Sequence, residues 1–150
     1  MGIFDIFKKK PKFVDDIFGE LNYTTFSDNS KNFYDGTVKF DLKEIGVTID
    51  ADENGPTKKQ KEFYTKLRNN YSAIKVDIII PHLKDELEDW EEENQIIDFD
   101  KEFIIDGISL TRITDKPVHW SLTLYSTKIG HYVTIEFIDQ APQKRILIDG

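Results

Sequence analysis

The chain has 150 residues, with 20 basic and 28 acidic side chains and a net charge of −8. That length suits one domain able to bury its own core, and the charge argues against a nucleic-acid partner, whose phosphates need a cationic face. The absence of cysteine excludes disulfides, thiolate zinc sites and cysteine nucleophiles, and it fits a reducing, cytoplasmic setting.

Residues 1–12 read as a short N-terminal segment, distinct from a single domain over 13–150. Ile3, Phe4, Ile6 and Phe7 precede Lys8, Lys9, Lys10 and Lys12, the reverse of the charge order in a secretory leader. Ile6 stands where a myristoylation signal needs Ser or Thr. The segment is expected to be a short helix on the body, with a weak membrane-surface or partner anchor as the competing reading. No apolar run reaches the ~18 residues of a transmembrane helix.

Ile17 to Thr25 mixes aromatic and β-branched residues and predicts a first strand. Asp28 to Lys31 is turn chemistry. Asp35-Gly36 lies between apolar stretches and predicts a hairpin turn. Thr37 to Leu42 and Ile45 to Asp50 alternate with period two, as strands do.

Residues Asp50 to Gly55 read DADENG, the opening of a calcium loop. The twelfth position, however, is Lys61 where a bidentate Glu is needed, and a strand precedes the loop instead of a helix. Asx turns, a glycine at positive φ and a Thr57 cap explain the same residues. The expectation is a corner between strand and helix, with no metal and no cofactor.

Thr57 and Gln60 form a Thr-x-x-Gln capping box. Phe63, Tyr64, Leu67, Tyr71, Ile74, Ile78, Ile79, Leu83, Leu87 and Trp90 make an apolar stripe at steps of three to five. Pro81 should split or bend this stretch, which predicts a helical pair, or one bent helix, ending near Glu92. A buried strand over Ile74 to Ile80 is the alternative there. Asp85, Glu86, Glu88, Asp89, Glu91, Glu92 and Glu93 gather at the helical end, where they oppose the macrodipole. A solvated face is one reading; a docking surface for a basic partner is the other.

Ile96 to Phe99, Phe103 to Arg112, Trp120 to Ser126, Tyr132 to Ile138 and Ile146 to Ile148 predict the remaining strands, with Asp106-Gly107 interrupting the second. One hairpin allows a register to be worked out. Setting Ser126 opposite His131 pairs Leu124 with Val133, Leu122 with Ile135 and Trp120 with Phe137, all apolar. The other face then pairs Tyr125 with Tyr132, Thr123 with Thr134 and Ser121 with Glu136. A slip of one residue would mix the two sets. The Tyr and Thr pairs are either sheet stabilisers or a recognition surface. His82, His119 and His131 lack metal-ligand spacing, and no nucleophile elbow or phosphate loop is present.

The fold class is α+β, a largely antiparallel sheet with the helical pair packed on one face. FGEL at Phe18 to Leu21, the YDGTVKF hairpin, the ADENGPT corner with Gln60 and Tyr64 beyond it, and the WSLTLYS and YVTIEF strands together resemble small uncharacterised bacterial domain families. That resemblance implies a cytosolic domain of unknown function with no established activity; some similar acidic domains, encoded beside secreted toxins, act as immunity proteins. The functional expectation is a non-enzymatic protein-interaction domain of inhibitor or immunity type. Its partner would be another, basic protein. Binding candidates are Tyr125, Tyr132, Thr123 and Thr134, or Glu88, Glu91 and Glu92 at the acidic end. A metal-dependent hydrolase using Asp50, Asp52 and other acids is the alternative.

Overall fold

The computed structural model describes residues 12–88, 95–114 and 117–149. A nine-stranded sheet carries the fold. Its strands are β1 (Phe13–Asp15), β2 (Gly19–Thr24), β3 (Phe33–Phe40), β4 (Lys43–Asp50), β5 (Phe103–Leu110), β6 (His119–Ser126), β7 (His131–Ile138), β8 (Ala141–Pro142) and β9 (Leu147–Asp149). They lie in the order β1 to β8, with β9 also pairing β7. Every pairing is antiparallel except β4 with β5. That parallel step requires a crossover, and the crossover is the helix. The α+β class and the mostly antiparallel sheet are as the sequence predicts.

Of the two readings of the helical part, a pair or one bent helix, the structure takes the single helix. Residues 58–87 form one continuous helix, in which α1 (Lys58–Ile74) runs through a π turn (Lys75–Ile79) into α2 (Ile80–Leu87). Pro81 lacks an N–H, and in regular α geometry its ring would meet the carbonyl four residues back. The widened turn carries the chain past that obstacle, with Ile80 N–H bonded to Lys75 O. Pro81 then sits in the first turn of α2, where a missing donor costs nothing. The buried residues keep step with this: Tyr64, Leu67, Tyr71 and Ile74, then a five-residue stride to Ile79, then Leu83 and Leu87. The extra residue of the π turn absorbs the long stride, and one stripe faces the sheet throughout.

That stripe packs on Tyr34, Val38 and Phe40 of β3, Ile45, Val47 and Ile49 of β4, and the inward residues of β5 to β7 in a single buried cluster. The β6–β7 register is the one derived above, with Ser126 opposite His131 and Trp120 opposite Phe137. Trp120, Leu122, Leu124, Val133, Ile135 and Phe137 are all buried. A bulge separates Ile105 from Gly107, at the interruption read from Asp106-Gly107.

Three expectations are corrected. Asp35-Gly36 is not a turn but the middle of β3. Gly36 is required there because a Cβ would lie 2.8 Å from Glu20 O and 2.8 Å from the Leu21 side chain on β2. The β3–β4 turn is Asp41-Leu42, both at positive φ (46° and 64°), the geometry that suits a tight hairpin. Ile17 and Phe18 belong to a turn between β1 and β2, because the buried carboxylate of Asp15 accepts both their N–H groups at 2.8 and 3.0 Å. Ile96 to Phe99 is not a strand: Glu102 accepts the Ile97 and Asp98 N–H groups and folds the segment into α3 (Phe99–Glu102).

Candidate functional site

The DADENG corner is built from its own hydrogen bonds. Asp52 accepts from Asn54 N–H at 2.9 Å through its carboxylate and from Gly55 N–H at 3.1 Å through its carbonyl. Gly55 stands at φ 91°, with the ring of Phe13 packed where a side chain would be. Ala51, inside the supposed loop, is buried. Asp50 ends β4 and is half-buried, and burial raises its carboxyl pKa against the opposing pull of Arg112. Thr57 and Gln60 complete the capping box. Among the described residues no group of three or more His, Asp or Glu side chains is placed to hold a metal.

Two other acids, unforeseen as buried, have structural partners. Asp15 meets Lys61 Nζ at 2.8 Å in addition to its two backbone donors. Glu102 meets Lys128 Nζ at 2.6 Å while capping Ile97 and Asp98. Asp85, Glu86 and Glu88 lie at the end of α2, with Glu88 exposed; Asp89, Glu91, Glu92 and Glu93 fall outside the described residues, as does the segment 1–11. His119 and His131 occupy opposite ends of the β6–β7 ladder, and His82 Nε2 is buried without a hydrogen-bond partner among the described residues.

The helix covers one face of the sheet. The other face is read from the strand registers, and it gathers the Tyr and Thr candidates. Tyr125 and Tyr132 stand opposite each other, rings 5.3 Å apart at 61°, an edge-on contact that favours both rings. Thr123 and Thr134 share a hydroxyl hydrogen bond of 3.0 Å. Pairing of β5 with β6 sets Ile104 beside Tyr125. Pairing of β7 with β9 sets Leu147 beside Thr134 and Asp149 beside Tyr132. Ile104 is 42 % exposed, Tyr132 43 % and Leu147 50 %, so three large apolar side chains are exposed on this face around the Tyr125–Tyr132 and Thr123–Thr134 pairs. Sequence reasoning missed Ile104 and Leu147 because both depend on pairings between distant segments.

Comparison of the chain with family models, with curated proteins and with solved structures finds no match.

Next to the apolar patch the same face is low and polar. Gly46, Thr48, Gly107, Ser109 and Ser121 follow one another across β4, β5 and β6. A depression of about 400 Å³ opens over Ser109, Thr111, His119, Ser121, Glu136 and Gln143. His119, Ser121 and Glu136 share it, yet among the described residues no hydrogen bond links the three. A catalytic relay needs such links between nucleophile, base and orienting acid. Hydroxyls, an imidazole and a carboxylate line the depression beside Trp120, Phe137 and Ile138. No helix among the described residues is long and apolar enough to cross a membrane.

Proposed function

We propose that the chain is a non-enzymatic protein-interaction module, of inhibitor or immunity type, that seats another protein on the open face of its sheet. One observation carries this reading: the registers gather Ile104, Tyr125, Tyr132 and Leu147 from four strands on a face that no other element among the described residues covers. Scattered exposed apolar residues are ordinary, whereas adjoining ones mark contact surfaces. Tyrosine suits such a surface, since it offers a large rigid contact for little lost entropy. The Thr123–Thr134 bond supports the strands beneath.

Photo-cross-linking tests the proposal. The photoreactive residue p-benzoylphenylalanine, placed at position 132 and expressed in the protein's own cells, is expected to form a discrete adduct with another protein. The same residue at position 70, exposed on the helix, is the control and is expected to form none. Equal adducts at both positions, or none at 132, would count against the open face as the docking site.

A further inference from the structure

Resting on the docking reading above, we propose that the partner element seated on the open face is a cationic protein segment, with Lys or Arg interspersed among apolar side chains. The strand registers place Asp35, Glu44, Asp50, Glu136 and Asp149 on this face, and Asp106 is exposed in the β5 bulge. Lys39 is the strand cation beside them among the described residues; Lys12 is already paired to Glu20 at 3.2 Å, Arg112 acts on Asp50, and the exposed Lys144 and Arg145 lie in the connection between β8 and β9. Asp106, Glu136 and Asp149 make no ion pair among the described residues and border the apolar patch. Asp149 is directly opposite Tyr132, and Glu136 lies four residues along the strand from it.

The dimensions of the face suit an extended contact. Asp35, Thr48, Ser109, Ser121 and Glu136 form one row across β3 to β7. Four strand spacings separate its acidic ends, about 19 Å. A helix covers that distance in about 13 residues. Between the ends the side chains are small and the glycines at 46 and 107 add none, so a helix backbone can approach the floor closely. An Arg guanidinium reaching the Tyr pair would gain from the ring face as well as from Asp149. Nucleic acid and anionic lipid, by contrast, would bring negative charge onto these carboxylates.

The probe is an amidated amphipathic Lys/Leu peptide of about 13 residues, titrated into the full ¹⁵N-labelled chain, beside a Glu/Leu peptide of the same pattern. The Lys peptide is expected to shift amides at 104–107, 132–136 and 147–149. In a D106N/E136Q/D149N variant its affinity should fall about tenfold, the sum of three exposed charge pairs of ordinary strength. These three positions are solvent-facing, so an unchanged amide spectrum elsewhere will verify that the variant is folded. Perturbation centred on Asp85, Glu86 and Glu88 would overturn the assignment. If both peptides shift the open face equally, the docking reading stands and the cationic partner does not. If neither shifts it, the proposal falls, and adducts at position 132 decide the docking reading independently.

Discussion

Replacing Gln60 by Ala tests how the corner joins the two halves of the sheet. The Gln60 side chain is fully buried. Its Nε2 donates to Asp50 O at 2.8 Å and to Thr111 O at 2.9 Å, and its Oε1 accepts from Thr57 N–H at 2.9 Å. One side chain therefore ties the end of β4, the segment after β5 and the first turn of the helix. Alanine leaves three backbone groups without a partner. At about 1 kcal/mol for each, the loss comes to about 3 kcal/mol. For a chain of this length that corresponds to a fall of about 6–12 °C in Tm. Urea and thermal unfolding followed by circular dichroism measure both. Gln60→Glu sharpens the test. Its carboxylate would face two carbonyl oxygens, so burial among acceptors raises the folded-state pKa. Stability then declines as pH rises through that value, and the variant should be worse relative to the parent at about pH 8 than at about pH 5. A loss below about 1 kcal/mol for Gln60→Ala, or a Gln60→Glu defect independent of pH, would refute the bridging role.

Tyr71 has a buried hydroxyl with no hydrogen-bond partner among the described residues, and burial pushes its pKa well above the usual phenol range. Tyr71→Phe removes the unmet polar group and is expected to stabilise the fold by about 1 kcal/mol; a Tm that falls would show that the hydroxyl is bonded. Lys61→Met strips Asp15 of its cation, leaving a buried carboxylate with only backbone donors. A loss of about 2 kcal/mol is expected by chemical denaturation, below the full value for a buried pair because Lys61 is partly exposed; an unchanged midpoint would contradict the pairing. Burial raises the Asp50 carboxyl pKa, so its ionised form weakens the folded state once pH exceeds the ordinary carboxylate range. Asp50→Asn is expected to gain stability at neutral pH and to gain nothing near pH 3, where the carboxyl is protonated in both states. A variant that is less stable at neutral pH would reverse the sign argued here.

Local chemistry was readable wherever a short stretch determined its own geometry. The β6–β7 register followed from two alternating runs that tolerate a single alignment, and the Thr57–Gln60 box named the helix start. The five-residue stride from Ile74 to Ile79 also stood in the sequence, but its meaning depended on Pro81. A proline there is compatible with two helices or one bent helix; the structure keeps one helix and widens a turn. Asp35-Gly36 misled because glycine serves turns and close strand contacts alike, and only the neighbouring β2 tells them apart. Asp41-Leu42 gave no warning, since leucine seldom adopts positive φ. Of the candidate site, the Tyr and Thr pairs were visible through the hairpin register. Ile104, Leu147 and Asp149 join them only through pairings with β5 and β9, contacts that no local pattern encodes.

No other element among the described residues covers the open face in the isolated chain, and on the docking proposal a partner covers it when the protein works. Because the chain has no cysteine, a single Thr134→Cys substitution reports on that face without background. In the purified protein this thiol should react with a small maleimide at a rate set by its partial exposure, far faster than a thiol introduced at buried Leu122. In intact cells of the native host the same thiol should be protected several-fold while a control thiol at position 70 is not. Equal labelling of position 134 in the purified protein and in the cell would contradict the account.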